Sequence, residues 1–543
     1  MVEYNAGKAS ELKDGQMKEV TVGNNSKVLL SKAGGQIYAT SHKCTHYGAP
    51  LVKGAFSSEG RVICPWHGAC FDVKTGDIED SPGLDNLQTF KVTIKDDDIY
   101  VEVDEAALKS GRRPPKCKVN PSPFNEDDVV VIIGSGAGGN TAAEKLRENG
   151  YGGKIILVSR ESYLPIDRPK LSKSFGFSID KITLRKKEFY DDLFITLKLG
   201  TVNILLFYCK VDPTSKTVTL DNGEKLKYAS LIIATGAHPR TIPIPGIDLK
   251  NVYYLRTYDD YKNIENAVVG DEKKNLVIIG SSFIGLEVSS ISAKKANVSV
   301  IGMEKVPFER VLGEKIGTVF QKLHENEGVK FYMQAVVKGI EPSEIDSSIV
   351  GAVTLQDGTK IKADVIVVGA GVVPSTEFLK NTPGFTLERD GSIKVTEDFK
   401  VEGLEDVYAI GDIARFHYFE TSETLRIEHW SFAENTGRAA ADAITTKKIT
   451  PFKRIPYFWS NQLSKGLRYC GYASSFDDVI VQGSLEEIKF AAFYARGDKI
   501  VAVASVSLDP IVSHCSELLR LGKFPTATEI RNGLDPLTVS LTA

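Results

Sequence analysis

Cys44-Thr45-His46 and, beyond residues 47–63, Cys64-Pro65-Trp66-His67 set out a C-x-H and a C-x-x-H pattern. Each half offers one thiolate and one imidazole. A [2Fe–2S] cluster with two Cys on one iron and two His on the other needs that set of four. Imidazoles are neutral where thiolates are anionic, so such a cluster is easier to reduce, with a potential of about −150 to +300 mV. Zinc also takes Cys₂His₂, but its finger spacings pair like ligands, C-x₂₋₄-C with H-x₃₋₅-H. Here each half mixes the two, which favours one-electron chemistry at a cluster.

A second kind of chemistry is written in glycines. Gly134, Gly136 and Gly139 form G-x-G-x-x-G after the apolar run Val129–Ile133. In that pattern the first Gly makes the tight turn, the second admits a pyrophosphate, and the third lets helix and strand pack closely. The phosphates then meet the free N–H groups of a helix N-terminus. Glu161 closes the next apolar run at the distance expected of an acid that binds a ribose hydroxyl. Gly280, Ser282 and Gly285 repeat the pattern after Leu276–Ile279, with Ser in the middle place, and Glu304 comes about twenty residues later. An acid there accepts from the adenosine 2′-hydroxyl and repels a 2′-phosphate, so NADH is favoured over NADPH. Lys305 and Arg310 are nearby cations that work against that preference.

These residues need three kinds of element to hold them. Short alternating strands with Gly-rich turns over 1–105 suit a small β domain. Lys109–Asp128, rich in Pro and charge, reads as an extended linker. It would tether the cluster domain to the remainder of the chain at an effective concentration of about millimolar. Two strand–turn–helix openings then predict two dinucleotide-binding folds, and from about Thr450 strands return before terminal helices. With 543 residues, 42% hydrophobic, 25% charged and a net charge of −3, the chain is ordinary multidomain globular protein. It offers no basic character for nucleic acid or a polybasic anchor. No apolar run reaches the ~18 residues of a membrane span. The first residues carry neither an apolar signal core nor the Arg of a mitochondrial presequence. Seven cysteines in such a length are no disulfide framework and fit a reducing compartment. The expected location is cytoplasmic, with mitochondrial as the alternative.

The segments CTHYGAPL and CPWHGACFDVKTG resemble the two cluster loops of Rieske ferredoxins, over about residues 15–105. Respiratory Rieske proteins add a disulfide-forming Cys to each loop. Ala49 stands at the first of those places and Cys70 lies off the second, so the resemblance implies a ferredoxin-type site, with Cys44, His46, Cys64 and His67 as ligands and Cys70 as a small buried residue. Over about 15–530 the chain resembles the apoptosis-inducing-factor-like flavoproteins with an N-terminal Rieske domain, kin of the ferredoxin reductases of oxygenase systems. LPIDRPKLSK, SFIGLEV, GMEKVPFERVLGEKIG, VGAGVVPST, VYAIGD, EHWSFAENTGRAA and PYFWS carry that resemblance.

The resemblance implies a glutathione-reductase-like fold and FAD at the first dinucleotide site. Asp412 would hold the ribityl chain, Ala234 and Gly236 would form the strand-end turn beside it, and Arg168 would lie near the phosphates. Lys173 and Glu287 would pair beside flavin N5, where a cation stabilises reduced flavin. Trp430, Trp459 and His429 would sit by the flavin and nicotinamide, and Gly371 by NAD. Two departures stand out. No Cys pair comes soon after Gly139, so a dithiol relay is not expected. Thr201–Lys210 reads TVNILLFYCK, an apolar insert where relatives have a shorter, more polar link.

The expected architecture is multidomain: an all-β Rieske domain (1–105), a linker (106–127), an FAD domain in two segments (128–252 and 385–450) around an NAD domain (253–384), and a C-terminal α/β domain (451–543). The expected function is an FAD-dependent NAD(P)H oxidoreductase that passes electrons to its own Rieske cluster and on to an acceptor protein or small molecule. The resemblance also implies the alternative, a cell-death or redox-signalling flavoprotein with little turnover, and a nitrite- or monodehydroascorbate-type reductase acting on a small substrate at the flavin is a weaker one.

Overall fold

The computed structural model describes residues 1–23, 25–118, 127–201 and 210–542. The apolar insert expected at 201–210 falls almost wholly outside the described residues. So does the segment 119–126 of the Pro-rich stretch.

The N-terminal domain is β-rich, as its alternating runs require. Strands Val2–Lys8, Asp98–Val103, Thr89–Lys95, Gln36–Ser41, Ser26–Ala33 and Met17–Val22 form one six-stranded sheet, in that order. A smaller antiparallel sheet of Ala55–Phe56, Arg61–Ile63, Cys70–Asp72 and Ile78–Asp80 carries the second cluster loop between its two middle strands. The domain runs past 105. Asp104 caps the helix Glu105–Ser110 by accepting from the Ala107 N–H, and Gly111 ends it in the left-handed region at φ 62°. Arg112–Arg113 then pairs with Asn86–Leu87. The first part of the predicted linker is therefore structured: Asp, Ala, Leu and Gly in capping order outweigh the Pro and charge beyond them.

The two dinucleotide domains are built alike. Ile195–Lys198, Lys154–Val158, Val129–Ile133, Ser230–Ile233 and Val407–Ala409 form a parallel sheet. Val129–Ile133 is buried throughout, as a central strand of a parallel sheet covered on both faces must be. Val252–Tyr253, Val365–Val368, Asn275–Ile279, Asn297–Ile301 and Lys330–Tyr332 form the second. In both, the strand before the Gly-rich turn is central and the chain reverses its order there. That switch point opens the crevice where dinucleotides bind. Val407–Ala409 joins the first sheet, so the chain returns to the first domain after completing the second.

Glycine lets the helices Ala137–Glu148 and Trp430–Thr446 pack closely: a Cβ on Gly437 would lie 2.4 Å from the Gly138 carbonyl oxygen. The C-terminal domain is a five-stranded antiparallel sheet, Tyr457–Gln462, Lys465–Gly471, Lys499–Val506, Lys489–Arg496 and Asp478–Ser484, with the helix Ile511–Arg520 after it. Among the described residues no helix is long and apolar enough to cross a membrane.

Candidate redox site

The two cluster loops are the same turn built twice. The Cys44 N–H donates to the Ala49 carbonyl at 2.9 Å and Gly48 N–H returns to the Cys44 carbonyl at 3.0 Å. Cys64 pairs with Ala69 at 2.8 Å and Gly68 with Cys64 at 3.3 Å. Gly48 and Gly68 hold φ of 79° and 74°, which side chains with a Cβ rarely adopt. The result buries both thiols and sets them against each other, with the N–H groups of His46 and Tyr47 on the Cys44 sulfur and those of Trp66 and His67 on the Cys64 sulfur. The Nδ1 atoms of His46 and His67 face each other at 3.1 Å. Burial, with Lys170 and Arg112 adding to it, lowers His46 to about 3, so it is neutral as a metal ligand must be. The four thus divide into two facing thiols and two facing imidazoles, the set that a cluster with two Cys on one iron and two His on the other requires. Cys70 is buried, as expected.

The first Gly-rich turn has the three environments its pattern demands. A Cβ on Gly134 would lie 2.2 Å from the Ala234 carbonyl oxygen, and one on Gly139 1.8 Å from that of Gly134. Gly136 faces open space at the N-terminus of Ala137–Glu148, which no side chain caps. FAD phosphates fit there. Thr235 Oγ1, between Ala234 and Gly236, is buried without a hydrogen-bond partner among the described residues, a polar group that suits a cofactor beside it.

Glu161 and Arg168 meet: Arg168 Nη2 donates to both carboxylate oxygens at 2.6 Å, and its Nη1 to the Arg256 carbonyl at 2.8 Å. Arg256 in turn pairs with Asp412 at 3.1 Å, beside Gly236. Glu161, Arg168, Arg256 and Asp412 thus form one continuous polar wall. Arg256 was not legible in the sequence, because it lies in no motif.

Lys173 and Glu287 form the expected ion pair at 2.5 Å, with Glu287 almost fully buried. Ser172 donates to one oxygen of Glu287 and Ser460 to the other, the latter at 2.7 Å. Gln462 donates to Ser460 at 2.9 Å and its carbonyl lies 3.1 Å from His324 Nε2, while Ser289 lies 3.2 Å from His324 Nδ1. This buried chain fixes the carboxylate from the C-terminal domain. Ser460 adjoins Trp459, but the spacing of PYFWS gives no sign of the bond.

His429 precedes the helix Trp430–Thr446, with Nδ1 3.0 Å from Ser431 Oγ; Trp430 opens that helix, half-buried. Burial, then Lys173, lowers His429 to about 3. Trp459 meets residues of both halves of the site. Its ring centroid is 4.5 Å from that of His67, 5.7 Å from His46 and 4.8 Å from His429. Tyr47 stacks on His46 at 3.8 Å and donates to Asp167 at 2.7 Å.

In the second dinucleotide site Gly280 and Gly285 repeat the tight contacts, with a Cβ on Gly285 2.4 Å from the Gly280 carbonyl oxygen. Ser282 bonds the Gly369 carbonyl rather than capping its helix, and Gly371, at φ 89°, is exposed nearby. Glu304 accepts from Ser281 Oγ at 3.2 Å, and Arg310 reaches it at 3.4 Å from an exposed position. We expect Glu304→Ala to lower the NADH-to-NADPH ratio of kcat/KM by about tenfold, ~1.4 kcal/mol. Steady-state kinetics with both nucleotides would read it; an unchanged ratio would assign the discrimination elsewhere.

Comparison with known proteins agrees with this layout. Residues 2–91 match the Rieske [2Fe-2S] domain, 128–437 the pyridine nucleotide-disulphide oxidoreductase family and 457–538 the reductase C-terminal domain. Human apoptosis-inducing factor 3 is 40% identical over 518 residues, 94% of this chain and 83% of its own. Putidaredoxin reductase of Pseudomonas putida is 33% identical over 71% of this chain and 90% of its own. The crystal structure of a covalent putidaredoxin reductase–putidaredoxin complex superposes with a TM-score of 0.69 at 30% identity, over 75% of this chain and 96% of that one. The chain belongs to the pyridine nucleotide-disulphide oxidoreductase family, as a ferredoxin-reductase-like FAD and NAD flavoprotein that carries its own Rieske [2Fe–2S] domain.

Proposed function

We propose that this protein oxidises NADH and sends the two electrons, one at a time, through its own Rieske cluster to an external one-electron acceptor. The observation that carries this reading is Trp459, whose ring meets those of both cluster-loop histidines and of His429. Bound FAD takes a hydride and can release electrons singly, which joins a two-electron donor to a one-electron cluster. Oxidation of one NADH yields NAD⁺, one proton and two electrons, which a one-electron cluster would carry onward singly.

The chain's own residues have definite tasks in this scheme. Glu304 and the 280–285 turn hold the adenosine end of NADH. Glu287, fixed by Ser172 and Ser460, holds Lys173 as a cation at the reacting edge of the flavin. The Glu161–Arg168–Arg256–Asp412 wall seats the FAD sugar and phosphate groups. Cys44, His46, Cys64 and His67 would hold the cluster, and Trp459 packs an aromatic ring against its two histidines. Relatives named for their acceptor, such as putidaredoxin reductase and rubredoxin–NAD⁺ reductase, point to a protein as the final acceptor.

His67→Cys tests the order of transfer. It keeps an iron ligand but adds negative charge, so the cluster potential falls. In stopped-flow, NADH should still bleach the flavin at close to the wild-type rate while cluster reduction slows. Loss of flavin bleaching with FAD content intact would place the cluster before the flavin and overturn the scheme.

A further inference from the structure

We infer that the Rieske domain works from a fixed seat on the reductase, with His46 and His67 packed against Trp459, so that flavin electrons leave through the built-in cluster and not to a separate ferredoxin. The inference rests on the proposed function and goes beyond it. A Pro-rich linker alone would allow a swinging domain, and domains joined by a linker move unless their interface is large and well packed.

Three features of the interface argue for a fixed seat. First, charged clamps hold both flanks. On one, Arg185 of the FAD domain binds Asp85 at 2.7 Å and the Leu84 carbonyl at 2.7 Å, with side chains of both ionic partners about nine-tenths buried. On the other, Arg61 lies 3.3 Å from Glu517 on the helix Ile511–Arg520, and Arg454 binds Asp80 at 2.8 Å. Charge pairs at such a contact add little net binding energy but fix the register of the two partners, so they set where the domain sits. Second, the contact has an apolar centre, where Ala55, Ile63 and Cys70 pack against Leu518 and Leu541. Third, the cluster loop itself is keyed to the reductase. Ser513 donates to the Cys64 carbonyl at 2.8 Å, and Gly68 fits so closely under Tyr457 that a Cβ there would lie 2.6 Å from the ring. Tyr47, next to His46, reaches Asp167 from the same face. With His46 and His67 already against Trp459, a second ferredoxin has no room on that side of the ring.

The test uses the full-length protein with its cofactors. Small-angle scattering should give the radius of gyration of a compact chain, about 24 Å for this length, with and without NADH. Cluster reduction in stopped-flow should be insensitive to added glycerol. The variant Asp85→Arg with Arg454→Glu sets like charges against Arg185 and Asp80. It should increase the radius, slow cluster reduction at least tenfold, leave NADH-to-flavin transfer unchanged, and let added plant-type [2Fe–2S] ferredoxin take electrons from the flavin. A wild-type radius that grows on reduction, or wild-type cluster reduction that slows in proportion to viscosity, would overturn the fixed seat even if the variant failed to fold. If NADH never reduces the wild-type cluster while the radius stays compact, the proposed function falls and the seat stands.

Discussion

Replacing Lys173 with methionine should cost about 3 kcal/mol of stability and lower the FAD content of the purified protein. The pair it breaks is one-sided: the Glu287 side chain is 4% exposed and that of Lys173 25%. Removing one member of a buried pair typically costs ~3–5 kcal/mol, because the remaining charge is stranded, and the partial exposure of Lys173 sets the lower end. Ser172 and Ser460 still donate to Glu287, but hydroxyls cannot neutralise it. Lys173→Met with Glu287→Gln removes both charges and should recover most of the loss. Urea unfolding and FAD absorbance would read both variants. A single variant as stable as wild type would show that the carboxylate does not depend on the lysine.

Glu434→Gln should have the opposite sign, and its size should depend on pH. Glu434 is 1% exposed, on the helix Trp430–Thr446 where it meets the Gly83 loop of the Rieske domain, and its Oε2 has no hydrogen-bond partner among the described residues. Burial raises its pKa from 4.5 to about 8; Arg438 opposes the rise, while Asp167 and Glu144 add to it. The folded protein therefore holds a proton that the unfolded chain releases at about 4.5. Between those values the native state binds the extra proton, so stability falls as pH rises, by at most ~1.4 kcal/mol per pH unit, and levels off above about 8. Glutamine lacks this titration. The variant should match wild type near pH 4.5 and exceed it by a few kcal/mol, on the order of magnitude, at pH 8. Urea unfolding of the two proteins at about pH 5 and about pH 8 is the measurement. A gap that fails to widen with pH would mean that Glu434 is ionised in the native state throughout.

The parts of the site that could be read from sequence are those whose chemistry confines residue types to a short window. Two cluster ligands must share one tight loop, and a pyrophosphate must meet glycines within one turn, so Cys44 to His67 and Gly134 to Gly139 announce themselves. Residues that act across domains leave no such mark. Arg256 meets Asp412, Ser460 meets Glu287, and Arg185 meets Asp85, each over more than ninety positions of sequence. A lone Arg or Ser has no periodicity to betray its partner. The same limit explains the linker: Pro-rich composition was visible, but the capped helix at Glu105–Ser110 and the docking of the domain depend on contacts that composition does not encode. Glu161 was legible as an acid at a strand end, whereas its bond to Arg168 became visible only in three dimensions.

The central claim is that electrons pass from NADH through the flavin to a mixed Cys/His cluster within one chain. Rapid mixing with one equivalent of NADH without oxygen, and then freeze-quench electron paramagnetic resonance, tests it most directly. The flavin absorbance should bleach first. A cluster signal with the low average g value of a Cys₂His₂ site should then rise at a rate independent of protein concentration. A cluster that stays oxidised beside fully reduced flavin, or a signal of the all-Cys type, would contradict the account.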